Sequence, residues 1–402
     1  MVLECPHPRR PGDPGLLKSL DRQTISAGVV AALFATTGPL ALILTVGRSG
    51  GLSEDEIIGW IFAGYLFGGI LSVGFSTLYR TPIGLAWSIP GTAMLLAALH
   101  NLSFAEAVGA YLVCGVLMTF LGISGCIGWL TERIPVAIVM GMVAGVFLPI
   151  GLGLVEGFVQ SPLLAGLTTG GYLAAATFPA IRGFPPILAA LIIGIITVTA
   201  TGEFDTTAVG PEWFARPQVR PIAFSFAAML ELVPPMLISV IAIQNLQGFT
   251  VLRQAGHIVP VNLLTVGCGY GSLAMGIFGS VPTCVTGPVN GILTTTQPPE
   301  RRWAGGVVFG MLIGAFGLLA PLATGLASSM PPAFIAVLGG LAMLPVLNAS
   351  FQSAFRGTAS LGALVAFLVT VSEIKLLNIG APFWGLVFGY IITAVLERDK
   401  SI

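Results

Sequence analysis

Charge is the scarcest property of this 402-residue chain: Asp, Glu, Lys and Arg together make up 8% of it. A water-soluble domain carries roughly 25%, so this chain cannot clothe itself for water. Its 17 basic and 17 acidic residues cancel, and a chain without net charge gives no reason to expect nucleic acid as a partner. Histidine is almost missing, and His7, His100 and His257 fall in polar connections, which leaves a metal cluster unsupported. The five cysteines (Cys5, Cys114, Cys126, Cys268 and Cys284) form no CxxC pair. Four of them lie in apolar segments and read as small packing residues, Cys284 being the one that falls near the candidate site described below. No nucleophile–base pair or phosphate loop stands in the connections, so neither an enzyme nor a cofactor is expected.

What is there is hydrophobic: 55% of the residues and a mean hydropathy of +0.94. Fourteen apolar stretches predict spans near 24–46, 55–78, 84–99, 104–123, 135–155, 162–180 and 184–200. The other seven lie near 232–250, 260–278, 284–296, 304–326, 332–350, 357–371 and 378–396. The first is too long for a signal-peptide core and reads as a retained span. Ser53-x-x-Glu56 and Ser103-x-x-Glu106 have capping-box spacing ahead of the second and fourth. With the N-terminus inside, the inner connections receive 13 Lys and Arg, from Arg9 to Lys400, and the outer ones receive four, Arg48, Arg216, Arg220 and Lys375. That bias alternates loop by loop and predicts an inner-membrane protein with both termini cytoplasmic.

The two halves resemble each other. Ser88-x-Pro90 returns as Thr286-x-Pro288 at an offset of 198, and Gly183-x-Pro185 returns as Gly380-x-Pro382 at 197. Seven spans per half is an odd number, so the second half enters from the opposite face. The expected fold is an all-α integral membrane protein of 14 segments in a seven-plus-seven inverted repeat. Residues 1–23 form a cytoplasmic segment, 24–200 the first repeat, 201–231 the linker and 232–396 the second repeat.

Spans three and ten are short and broken. Thr81–Trp87 and Ser280–Thr286 read as extended, and Pro90 and Pro288 suit the first turn of a helix. A helix over 90–99 is about 15 Å long, half of a bilayer core. Paired interruptions in corresponding halves point to a transporter's substrate site. Two half-helices entering from opposite sides would aim their N-termini at one another. The N–H groups of Gly91, Thr92 and Ala93 would then face those of Val289, Asn290 and Gly291, an arrangement suited to an anion. Every charged residue fits a loop or a span end. Gln244-Asn245 in span eight and Thr36-Thr37 in span one add polar groups, with interhelical packing as their alternative use. The candidate substrate residues are Thr36, Thr37, Ser88, Ile89, Pro90, Gly91, Thr92, Gln244, Asn245, Thr286, Gly287, Pro288, Val289 and Asn290. Phe34 and Ile89 are candidates for the walls around an apolar ring.

Tyr79-Arg80-x-Pro82 through Ala86-Trp87-Ser88-x-Pro90-Gly91-x-Ala93 resembles a segment of the benzoate/proton symporter family, BenE. Arg133-Ile134-Pro135 with Met142-x-Ala144-Gly145 is similar to that family's fifth span, and Gln244-Asn245-Leu246-x-Gly248 to its eighth. The resemblance implies the fold shared by uracil/xanthine and sulfate permeases, with a core domain of spans 1–4 and 8–11 and a gate domain of spans 5–7 and 12–14. It also implies short strands before the half-helices, an elevator-like or rocking movement, and protons as the coupling ion. Uracil permeases carry glutamates in spans eight and ten, where this chain has Gln244-Asn245 and Gly287-Pro288-Val289-Asn290. That departure favours an anion over a nucleobase and leaves the proton without an evident carrier. The expected function is secondary active transport of a small organic anion, benzoate or a related aromatic carboxylate. A carrier of another anion or a nucleobase, and an anion channel, are the competing readings. Expected partners are the anionic substrate, membrane lipid and, in a homodimer, a second copy of the chain.

Overall fold

The computed structural model describes residues 4, 15–127, 135–177, 185–205, 210, 212–294, 298–356, 359–374, 376 and 381–397. Arg9, Arg10, Arg133, Arg182, Lys375, Arg398 and Lys400 of the charge count, and Ile134, Gly183 and Gly380 of the motifs, lie outside the described residues.

The chain begins with α1 (Leu16–Ser19), α2 (Arg22–Thr36) and α3 (Gly38–Ser49). The last two are one apolar stretch interrupted at Thr37, and the cause is Pro39. Without an N–H it cannot bond the carbonyl of Ala35, and the Tyr65 hydroxyl donates to that oxygen instead, at 2.7 Å. Then come α4 (Glu54–Tyr79), β1 (Leu85–Trp87), α5 (Ile89–Ala98) and α6 (Phe104–Ser124). Both expected capping boxes form: Ser53 and Ser103 accept from the N–H of Glu56 and Glu106, whose carboxylates accept from the serine N–H groups at 2.8 Å. Next are α7 (Val136–Gln160), α8 (Pro162–Thr177) and α9 (Pro186–Thr201). After the connection that follows α9, α10 (Phe226–Ile238) runs through a π-helical turn (Ser239–Asn245) into α11 (Leu246–Gln254). The chain ends with α12 (Val261–Gly276), β2 (Thr283–Val285), α13 (Gly287–Leu293), α14 (Arg302–Leu318), α15 (Ala320–Ser328), α16 (Pro332–Phe355), α17 (Ser360–Val371) and α18 (Ala381–Leu396).

Among the described residues, six helical stretches are long and apolar enough to cross a membrane alone: 22–49, 54–79, 104–124, 136–160, 226–254 and 332–355. The helical run 299–318, which contains α14, and α15 meet at a 66° bend and add a seventh if taken together, while α5, α9, α17 and α18 are shorter apolar helices.

One expectation is corrected here. The Ser225 hydroxyl accepts from the N–H of Ala228 at 3.2 Å, and this cap starts α10 at Phe226, six residues ahead of the apolar run beginning at 232. The connection between α9 and α10 is therefore 202–225, shorter than the expected linker of 201–231. Glu231 then sits inside the helix at 2% exposure, so the charged residues are not confined to loops and span ends. Two other helix starts lack a capping residue of their own and take a distant glutamate. Glu4 accepts from Asn262 and Leu263 at the start of α12, and Glu397 from Leu361 and Gly362 at the start of α17.

The helices pack in two groups. One gathers α2, α4, α6, α12 and α14 around the strand pair; the other gathers α7, α8, α9, α16, α17 and α18. The 202–225 connection is tied to the first group by main-chain bonds: Ala215 donates to Leu318, Arg220 to Ile277 and Ala223 to Ala105, at 2.8–3.0 Å. The seam between the groups is tight. A Cβ on Gly38 of α3 would lie 2.6 Å from Cβ of Ala342 on α16.

Candidate functional site

The two strands form an antiparallel pair, with Leu85 opposite Val285 and Trp87 opposite Thr283. Main-chain bonds extend it at both ends, Ser88 donating to Pro282 and Thr286 to Gly84. Backbone at this depth must be satisfied by protein, and serines of the neighbouring helices do much of it. Ser72 of α4 accepts from the Leu85 N–H at 2.8 Å, Ser76 from Ile83 at 3.1 Å, and Ser272 of α12 from Thr283 at 2.9 Å. Sequence reasoning missed all three, because a serine in a membrane helix carries no sign of the strand it will meet.

Antiparallel pairing sends α5 and α13 off opposite ends of the pair. Ser88 and Thr286 are thus four residue steps apart along the sheet, about 13 Å at roughly 3.3 Å per step. The half-helices are Ile89–Ala98 and Gly287–Leu293, each with proline in its first turn. Trp87, at 3% exposure, is the anchor of this plan. Its ring meets Tyr65 edge-on at 6.0 Å, and a Cβ on Gly64 would come within 2.8 Å of it. Arg80 ends α4 in the left-handed conformation and lays its guanidinium over Trp303, 3.9 Å from the ring centre.

The hydrogen bonds revise the expected donor set. Ser88 accepts from the Gly91 N–H at 3.0 Å and Thr286 from the Val289 N–H at 3.4 Å. The N–H groups of Thr92 and Asn290 donate to the carbonyls of Ser88 and Thr286. The open N–H groups of these first turns are therefore those of Ile89 and Gly287, because the expected ones, counted from the prolines, are consumed by the caps and the first helical bonds. Each capping hydroxyl accepts, so its own proton stays available to a ligand. Thr92 is fully buried and its hydroxyl has no partner.

The asparagines are struts. Asn290 Oδ1 accepts from the Gly84 N–H at 2.6 Å, tying α13 to β1; Asn245 Oδ1 accepts from the Val285 N–H at 2.8 Å, tying the π turn to β2. The Asn245 amide also lies beside the Cys268 thiol, on the α12 side of the strands. The Nδ2 groups of both asparagines are buried without a hydrogen-bond partner, as is the amide oxygen of Gln244; Gln244 differs in that no hydrogen bond fixes its amide at all. Thr36 and Thr37 donate to the carbonyls of Ala32 and Leu33 at 2.8 and 2.9 Å, which spends their protons on the helix. They stand at the break between α2 and α3, and α2 packs on α13 while α3 packs on α5. The π turn is the counterpart break, with α10 against α5 and α11 against α13. Phe34 and Ile89 are half-buried, and Cys284 is buried with its sulfur 3.7 Å from the Trp87 carbonyl oxygen. Among the described residues no group of His, Cys, Asp and Glu could hold a metal.

Known proteins resemble this chain in sequence and in fold. The chain is 31% identical to the inner membrane protein YdcO of Escherichia coli (strain K12), over 95% of this chain and 97% of that one. It is 28% identical to the benzoate membrane transport protein of Acinetobacter baylyi, over 93% and 95%. Its fold matches the transmembrane domain of a cyanobacterium bicarbonate transporter, BicA, with a TM-score of 0.59 at 17% identity, covering 92% of this chain and 97% of that one. It also matches murine solute carrier 26 family member A9, an anion transporter in the inward-facing state, with a TM-score of 0.63 at 10% identity, over 94% and 68%. The family model described as benzoate membrane transport protein, BenE, matches residues 18–395, and this chain belongs to that family of membrane transporters.

Proposed function

We propose that the chain is a secondary active transporter of a small organic anion, benzoate or a related aromatic carboxylate, held between the N-termini of α5 and α13. One observation carries this reading. Two capped half-helices turn their N-termini toward each other across the strand pair, and none of the residues of β1, α5, the π turn, β2 and α13 is charged. A carboxylate there meets the dipoles of both helices. Because it cannot span the roughly 13 Å between the two turns, it bonds the donors of one turn at a time, the Ile89 N–H and Ser88 hydroxyl or the Gly287 N–H and Thr286 hydroxyl, with the Gln244 amide beside them. Thr92 supports the same turn. Asn245 and Asn290 hold the frame, and Pro90, Gly91, Pro288 and Val289 shape it. The family likeness supports a benzoate-type substrate, and the sequence resemblance brings protons as the coupling ion.

In this reading the first helix group is the core domain and the second the gate, related as a seven-plus-seven inverted repeat of fourteen segments, and core sliding or rocking against gate carries the anion across. The linker bonds support a core that moves together with its 202–225 strap. Pro288 at the start of α13 is exposed while the first turn of α5 is largely buried, which supports a site reached from the α13 side.

Uptake of labelled benzoate by proteoliposomes, with a panel of carboxylates and uracil as competitors, tests the proposal. Saturable accumulation above the outside concentration, displaced by carboxylates, is the expected result. Flux that never exceeds equilibrium would make this an anion channel, and displacement by uracil alone would make it a nucleobase carrier.

A further inference from the structure

A crevice of about 370 Å³ lies where α10 meets α7 and α18 of the second helix group. α7 contributes Ile138 and Val139, α10 contributes Pro234 and Ile238, and α18 contributes Val387 and Tyr390. The tyrosine is the one polar side chain among its lining residues. Tyr390 is 58% exposed, and Ile391 and Val395 beside it are 48% and 69% exposed. On a membrane-spanning helix these side chains face hydrocarbon, so the crevice is continuous with the lipid-facing surface. Apart from the Tyr390 hydroxyl, water has nothing among these side chains to bond to, and a void of this size forfeits the contacts of every atom that lines it. The medium at its mouth is acyl chain.

We propose that this crevice is a binding site for one acyl chain of a bilayer phospholipid, taken up from the leaflet that holds the start of α7, with Tyr390 at its wet end. The site has a consequence for the protein's work. Ile238 directly precedes the π turn that carries Gln244 and Asn245, and Met236 lies against Gly91, its Cγ 3.5 Å from where a Cβ would stand. An acyl chain here supports the back of the π turn and holds α10 at its distance from α7 and α18.

The test uses the whole chain in vesicles of phosphatidylethanolamine and phosphatidylglycerol, doped with a phospholipid bearing a diazirine half-way along one acyl chain. After irradiation, adducts are mapped by peptide mass spectrometry. Adducts are expected on Val139 or Ile238, and Val387→Trp should reduce them about tenfold, the worth of roughly two displaced methylenes. Labelling of Leu152 and Val155, exposed elsewhere on α7, should not change. Ile391→Trp, at an exposed position, gives the same loss if Val387→Trp fails to fold. Adducts confined to Leu152 and Val155 overturn the proposal. So does protection of Val139 and Ile238 by benzoate, which would make the crevice a route for the substrate's ring, or their protection in a cross-linked dimer, which would make it a contact between copies of the chain.

Discussion

The two half-helices start from the same plan and end differently. In α5, ten residues long, Pro90 to Leu95 and Ala98 are buried, and the helix is backed by α3, α10 and α7 of the second group. In α13, seven residues long, Pro288 is exposed and Thr286 half-buried, and its neighbours are α11 and, from the first group, α2 and α14. The caps follow the packing, 3.0 Å for Gly91 to Ser88 against 3.4 Å for Val289 to Thr286. The same sequence device can therefore be a closed wall on one side and an open one on the other. The difference is set by what packs against it, not by its own residues.

The largest expected effect sharpens that contrast. A Cβ on Gly91 would stand 3.0 Å from Ser88 Oγ and near Met236, whereas one on Gly291 would meet nothing within 4 Å. Gly91→Val should abolish benzoate uptake, while Gly291→Ala should keep it and raise stability by about 0.5–1 kcal/mol. Equal losses in both variants, measured by uptake and thermal melting, would break the asymmetry.

The struts come next. Asn245→Ala and Asn290→Ala each leave a buried strand N–H unpaired, at a cost of about 1–3 kcal/mol, and both should melt earlier. Gln244→Ala breaks no bond within the protein, so it should melt normally and bind benzoate about tenfold to a hundredfold more weakly, the loss of a bond to a charged group. An early-melting Gln244→Ala that binds normally would assign that residue to packing.

Accessibility gives a smaller but direct reading. In a background without native cysteines, Pro288→Cys should react with a membrane-impermeant thiol reagent from the cytoplasmic face, and benzoate should slow it. Ile89→Cys should react much more slowly. The reverse order would place the open side at α5 instead.

The half-helices are legible in the sequence because their signals are local: proline placed for a first turn, a run too short to cross, and a stretch of poor helix formers ahead of it. Ser53 and Ser103 are legible for the same reason. Tyr65, Ser72, Ser76 and Ser272 are not, since each satisfies a backbone group at least seven residues away in the chain. The bonds of Asn245 and Asn290 to the strands are not legible, because a polar residue in mid-membrane looks the same whether its oxygen meets a ligand or a strand N–H. Counting from the prolines misplaces the open N–H groups because the caps take two of them.

The smallest effect concerns the turn before α12. Burial, and then the charge of Arg302, lower His257 in the turn before α12 from 6.5 to about 4. The fold wants this imidazole neutral, so its contribution is complete above about pH 6.5 and is lost as pH falls toward 4. The melting temperature should drop over that window, and less so in His257→Asn.

Asn290→Asp tests the central claim most directly. Aspartate keeps the acceptor for the Gly84 N–H and adds only a charge beside the half-helix. A like charge about 7 Å from the carboxylate, at an effective dielectric of about 20, costs about 2.4 kcal/mol, or roughly fiftyfold in affinity. Benzoate affinity of the folded variant is measured by calorimetry from pH 5 to pH 8. Binding should weaken as the new carboxyl ionises, set against a flat wild-type profile. Wild-type affinity at pH 8, with the introduced carboxyl shown to be ionised, would contradict an anion held between the two half-helices.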